Sequence, residues 1–208
     1  MSDTPRLLAR LLDVIETDIA PMTRTGVARG NKLFGAAILL KSDLSVVVAE
    51  TNNEVDNPLW HGEMHAIKRF YERPTENRPS PKDCLFLATH EPCSLCLSGI
   101  TWSGFDNFYY LFSHQDSADS FAIPYDIAIL KAVYAVADPD RDAPAPDRDL
   151  YNRSNAYFVS HDMSRMIAGL DRGNKEALTA RVDDLTALYA DLSALYQRDK
   201  GKKGIPLS

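Results

Sequence analysis

The sequence predicts a layered α/β domain. Three observations lead there. Apolar residues recur at helical spacing near both ends of the chain, short apolar runs of strand length lie between them, and the elements follow the order helix, hairpin, helix, strand, helix, strand. The 208 residues are enough for one substantial core and few for two. Hydrophobic residues make up 45% and charged residues 25%, the balance of an ordinary globular chain.

Each element has its own signal. Leu7, Leu8, Leu11, Leu12, Ile15 and Ile19 mark an amphipathic helix over about residues 6–20, with Pro21 at its expected end. Residues 33–50 hold two apolar runs around Lys41-Ser42-Asp43, a hairpin pattern. A polar loop with Asn52, Asn53, Asp56, Asn57 and Pro58 follows. A helix over about 62–73 stops before Pro74, and a Pro/Ser-rich loop leads to a strand at Cys84–Ala88. Pro92 suits the start of a new helix at Cys93. Phe108–Phe112 is the next strand, and Ala156–Val159 the last. Residues 138–149, rich in Asp, Pro and Ala, are expected to form an exposed loop. The final helix spans about 174–198: Leu178, Val182, Leu185, Tyr189, Leu192 and Tyr196 form one apolar stripe, for packing on the domain or for a subunit interface. The tail from Lys200 to Gly204 is expected to be disordered. The division expected is a catalytic domain over 1–150 and a C-terminal extension over 151–208, packed on that domain or on a partner.

No apolar run approaches the ~20 residues of a membrane span. The N-terminus lacks the basic start and apolar stretch of a secretory signal, so a cytoplasmic location is expected. The net charge of −6 does not favour a nucleic-acid polymer as partner. Three cysteines, an odd number, argue against a disulfide framework.

Two segments carry the chemistry: Trp60-His61-Gly62-Glu63-Met64-His65 and His90-Glu91-Pro92-Cys93-Ser94-Leu95-Cys96. Imidazole nitrogen and thiolate sulfur are zinc ligands, and three protein ligands leave a fourth position open, as in catalytic sites. His61 heads one predicted helix; Cys93 and Cys96 lie one turn apart at the head of another, so both sulfurs can address one ion. Positive helix N-termini favour thiolate over thiol. Glu63, two residues beyond His61, is near the metal without having to bind it, and can carry protons to a ring nitrogen and to a leaving amine. H-x-E followed by P-C-x-x-C resembles the compound signature of zinc deaminases.

At these segments the sequence resembles the cytidine deaminase-like superfamily, nearest the branch of guanine deaminase, fungal cytosine deaminase and tRNA adenosine deaminase. The resemblance runs from about Phe34 to Tyr134. It implies a three-layer α/β/α fold with a mixed sheet of about five strands, a bound Zn²⁺, a homodimer, and hydrolytic deamination of a small heterocycle such as a free nucleobase or nucleoside. It implies zinc ligands at His61, Cys93 and Cys96 and a proton shuttle at Glu63. Asn52, or Asn53 as the alternative, resembles the asparagine that holds the substrate ring, and Phe34 an aromatic lining the pocket. Trp60, His114 and Asp116 complete the expected substrate contacts. Cys96–Trp102 and Asp116-Ser117-Ala118 resemble guanine deaminase, but Ile123-Pro124 stands where that family has an acidic pair; Asp116, Asp119, Tyr125 or Asp126 are candidates to replace it. A polynucleotide deaminase and a non-catalytic relative are the alternatives. The acidic balance disfavours the first, and the presence of Glu63 the second.

Overall fold

A computed structural model describes residues 3–133, 151–200 and 205. Five strands form one sheet: β1 (Gly35–Leu40), β2 (Val46–Thr51), β3 (Cys84–His90), β4 (Asn107–Phe112) and β5 (Val159–Asp162), in the order β2-β1-β3-β4-β5. β1 pairs antiparallel with β2 and β3, whereas β3–β4 and β4–β5 are parallel. Eight α-helical segments complete the described chain: α1 (Thr4–Val14), α2 (Ala20–Ala28), α3 (Gly62–Tyr71), α4 (Ser94–Trp102), α5 (His114–Asp119), α6 (Tyr125–Val133), α7 (Met163–Ala168) and α8 (Arg172–Asp199).

Strand alternation builds two cores, one on each face of the sheet. Ala37, Leu39, Leu85, Leu87 and Leu111 face a cluster completed by Leu8, Leu11, Leu12, Ile15 and Ile19 and by Leu178, Leu185, Tyr189 and Leu192 of α8. Their neighbours Ala36, Ile38, Phe86, Ala88, Phe108 and Tyr110 face the other way, onto Ala66, Ile67 and Phe70 of α3 and Ile100 of α4. The sheet is therefore covered on both sides, giving the three layers. No helix among the described residues is long and apolar enough to cross a membrane.

Three local expectations are corrected. The first helix does not stop at Pro21. Ile15–Ile19 take a π-helical turn and the chain runs on through α2 to Ala28. A wider turn changes the hydrogen-bond register next to a residue that has no N–H to donate, so the proline is accommodated. The last strand lies at Val159–Asp162 rather than Ala156–Val159, because its partners are fixed by β4, from Asn107 opposite Val159 to Tyr110 opposite Asp162. Cys93 is the N-cap of α4, which begins at Ser94. The expected loop at 138–149 and the tail glycines and lysines beyond Lys200 lie outside the described residues.

Residues 151–200 are tied to the rest at several points. β5 extends the sheet, α8 packs on α1 and α2, and Arg181 bridges to Asp13 at 2.7 Å and Glu16 at 2.8 Å.

Candidate metal centre and cavity

Both halves of the motif sit at helix starts because the sheet ends there. β3 runs out at His90, Pro92 turns the chain, and Cys93 caps α4 in an extended conformation. His61 caps α3 in the same way. Neither side chain bonds its own helix N-terminus, which leaves imidazole and thiol free for other use. Cys96, one turn into α4, points back toward the same place.

The three donor atoms lie within 4.8 Å of one another. His61 Nδ1 stands 3.5 Å from Cys93 Sγ and 3.7 Å from Cys96 Sγ. The edges of a tetrahedral zinc site with one nitrogen and two sulfur ligands are about 3.6 to 3.8 Å, given the usual Zn–N and Zn–S bonds. The donor set and spacing therefore fit a zinc ion. The electrostatics fit as well. Hydrogen bonding to Cys96, opposed by burial, and the neighbouring His61 hold the Cys93 thiol well below its usual range. Burial followed by the Cys93 sulfur pushes Cys96 well above it. A dication among these donors would favour the thiolate form of both sulfurs. Burial would lower His61, but the Cys93 thiolate outweighs it and holds the imidazole up at about 9.

Glu63 is 4% exposed and lies against the Cys96 thiol. Burial, then the Cys93 thiolate, pushes its carboxyl up to about 7, where it can both take and give a proton near neutrality.

A cavity of about 370 Å³ opens beside His61 and Cys93, within the size range of small-molecule sites. Phe34, Leu95, Ile123 and Ile129 supply apolar wall; Tyr125 and Asp126 of α6 face it too, as do Lys32, Glu54 and the loop residues Pro58 and Leu59. Of the four residues considered as substitutes for the acidic pair, Tyr125 and Asp126 line this cavity, and Asp116 and Asp119 do not. Burial and the Cys93 thiolate push the Asp126 carboxyl up to about 7.

The structure separates the expected substrate contacts. Phe34 lines the cavity. Asn52 is 1% exposed, and its amide is spent on protein: Oδ1 accepts from the Gly62 N–H at 2.5 Å and Nδ2 donates to Glu54 at 2.9 Å. It shapes the start of α3 and does not line the cavity. Trp60 is turned away, stacked on His65 at 5.7 Å with the Lys68 ammonium over its ring. His114 is buried against Glu91 and the Pro92 carbonyl, 3.1 Å from Nε2. Asp116 is consumed by the capping box that starts α5 at Ser113. Polar side chains near a motif in sequence were thus drawn into caps and loops by nearer backbone partners.

Glu91 anchors the site from behind. It accepts from Tyr151 at 2.6 Å, Arg153 at 2.8 Å and the His114 N–H at 3.0 Å. Burial alone would raise its carboxyl, but His114, Tyr151 and Arg153 hold it low. His65 bonds the Thr51 carbonyl at 3.0 Å and lies outside the donor cluster. Cys84 is a buried thiol in β3, pushed up to about 11 by burial. Lys32 and Glu54 were missed by sequence reasoning. The one available signal was a lysine two residues before Phe34, at the mouth of a buried strand.

This geometry, a mixed sheet carrying one imidazole and two thiols at the heads of two helices beside a buried carboxylate, is that of a candidate metal site. Residues 15–112 match the family model of the cytidine and deoxycytidylate deaminase zinc-binding region. Guanine deaminase of Bacillus subtilis (strain 168) is 29% identical over 90 residues, 42% of this chain and 54% of that protein, so the match spans about half the length of that relative. A solved structure of guanine deaminase from Bacillus subtilis covers 70% of this chain and 98% of its own at 20% identity and TM-score 0.48. A protein variant solved in complex with 8-azaguanine covers 86% and 85% at 17% identity and TM-score 0.50. Over residues 15–112 the chain is therefore similar to the zinc-binding region of these deaminases, and the solved structures share its fold.

Proposed function

We propose that this chain is a zinc-dependent hydrolytic deaminase of a small amino-bearing heterocycle, guanine- or cytosine-like, that releases ammonia. The observation that carries the reading is the nitrogen-and-two-sulfur donor set, spaced as a tetrahedral site, next to a buried carboxylate and a cavity of small-molecule size. His61, Cys93 and Cys96 would hold zinc. When bound, zinc supplies a water acidic enough to act as nucleophile at neutral pH. Glu63 takes a proton from the attacking water and delivers it to a ring nitrogen; it then takes the second proton from the hydroxyl now on the ring carbon and gives it to the amine as the C–N bond breaks. Overall, water adds to the amino-bearing carbon, the C–N bond breaks, and the amidine becomes a lactam. Phe34 and Ile123 give a flat ring apolar surface, and burial keeps bulk water from competing.

The same reading places the chemistry in residues 1–150, with 151–208 as its support through Glu91 and α8. It also includes a cytoplasmic homodimer. Trp102, 91% exposed at the end of the metal-ligand helix α4, is the residue a second copy would cover, and sedimentation of the Trp102→Ser variant tests that. The function itself is tested by an ammonia-release screen of the zinc-loaded protein over guanine, cytosine, adenine, their nucleosides, pterins and triazines. At least one should turn over, and turnover of none would overturn the proposal.

A further inference from the structure

The cavity holds a charged pair for which the reaction above has no use. Lys32 and Glu54 both line it, with side chains only 7% and 1% exposed. Lys32 Nζ donates to Glu54 Oε1 at 2.7 Å. The other carboxylate oxygen accepts from the Lys32 backbone N–H at 3.0 Å and from Asn52 Nδ2 at 2.9 Å. Glu54 is therefore held by three donors, with His61 Nε2 a further 3.8 Å away. Taking an ammonium and a carboxylate out of water is costly, and an apolar pair would fill the space more cheaply. What the pair provides instead is a fixed donor. An ammonium has three N–H groups, and among the described residues Glu54 is its one hydrogen-bond partner. Two remain for whatever enters the cavity.

The charges around it select the kind of acceptor. Lys32 is already balanced by Glu54, and Asp126 lines the same cavity. A phosphate or carboxylate would meet both acidic groups at short range in a poorly screened site. A neutral carbonyl oxygen takes the hydrogen bond without that repulsion. Asp126 can accept from a ring N–H or exocyclic amino group on the same edge.

We propose that Lys32, positioned by Glu54, selects substrates bearing an uncharged ring carbonyl, so that the site takes neutral amino-oxo heterocycles, with Asp126 accepting from an N–H of the same ring. This rests on the deaminase reading of the site. The test measures binding apart from turnover. Zinc-loaded Glu63→Ala protein is titrated calorimetrically with three pairs differing by one oxygen: guanine and 2-aminopurine, cytosine and 4-aminopyrimidine, pterin and 2-aminopteridine. In at least one pair the oxo member should bind about 10- to 100-fold more tightly, the range for a hydrogen bond to a charged group. Lys32→Met should bring that ratio to within about threefold through weaker binding of the oxo member alone. Because Lys32→Met strands the Glu54 charge, Lys32→Met/Glu54→Gln is measured beside it. It should unfold near the parent temperature and show the same lost preference. Equal binding within every pair, binding of no member, or a preference retained in the double variant would overturn the proposal. Ammonia release by the unmutated protein separates the two readings. An oxo preference without ammonia release refutes the deaminase and leaves Lys32 standing. Release from both members of a pair at equal kcat/KM does the reverse.

Discussion

Gly62 lies between His61 and Glu63, the proposed zinc ligand and proton carrier, and its replacement by alanine should be felt in both stability and metal binding. A Cβ at this position would stand 2.6 Å from the Gly35 Cα, 2.9 Å from its nitrogen and 3.0 Å from its carbonyl carbon. Comfortable carbon contacts begin near ~3.5 Å, so the two backbones must part by most of an ångström. β1 cannot easily give. Gly35 is pinned from behind, where Thr89 Oγ1 accepts from its N–H at 3.0 Å and donates to its carbonyl at 3.2 Å, and Ile19 fills the far side. Overpacking of this kind costs about 1–3 kcal/mol. Removing a glycine from the unfolded chain returns about 0.4–1 kcal/mol. The net loss is centred on about 1.3 kcal/mol and reaches at most about 2.6, which at ~2–4 °C per kcal/mol for a chain of this size lowers Tm by about 3–5 °C and at most about 10 °C. The displaced start of α3 also stretches the Gly62 N–H···Asn52 bond and moves His61, so zinc should bind more weakly. Calorimetric unfolding and competitive zinc titration of Gly62→Ala read both effects. A variant as stable as the parent, with unchanged zinc affinity, would refute the reasoning.

Three further outcomes are expected. Glu63→Ala should keep one zinc per chain and lose about 10²–10⁴-fold in turnover; metal analysis and ammonia release decide it, and activity at the parent level would remove Glu63 from its role. Cys93→Ser and Cys96→Ser should instead lose zinc, because a hydroxyl is a far poorer ligand than a thiolate, and full occupancy in both would show that the metal is held elsewhere. His90 is enclosed by Phe34, Phe112, Phe121 and Tyr189, its Nε2 has no hydrogen-bond partner among the described residues, and burial pushes its pKa down to about 3. Its unfolded value is near ~6.5, so the unfolded chain binds the extra proton first. Its contribution is fully present above pH ~6.5 and is lost as pH falls toward 3, up to about 5 kcal/mol. His90→Leu should therefore flatten the acid limb of a stability–pH curve, and an unchanged slope between pH 6.5 and 4 would show that the ring is not held neutral by burial.

Periodicity made the elements legible because it reports which face of a segment is buried. The stripe on α8 could be read this way, β1 and β3 were legible as unbroken apolar runs, and all three meet the core. Periodicity could not foresee that the first helix would pass Pro21, since that depends on a local change of hydrogen-bond register. Nor could it place β5, a short strand with exposed and half-buried residues whose position is set by its β4 neighbours.

The proposed metal donors, which the structure brings within 4.8 Å of one another, were legible in the sequence alone. A histidine before one helix and two cysteines one turn apart at the head of another carry their own geometry, because local helix spacing is nearly fixed. The rest of the cavity was decided by tertiary structure. Lys32, Glu54 and Asp126 come from three separate segments, none with a motif, and meet only because the segment before β1, the loop after β2 and the start of α6 border one cavity. Asn52, Trp60, His114 and Asp116 stood near the motif in sequence, yet each found a closer partner in a cap, a loop or a neighbouring ring. Spacing along a helix is a local property that a sequence can carry. Which polar group is left to face a cavity depends on every competing partner that folding brings within reach.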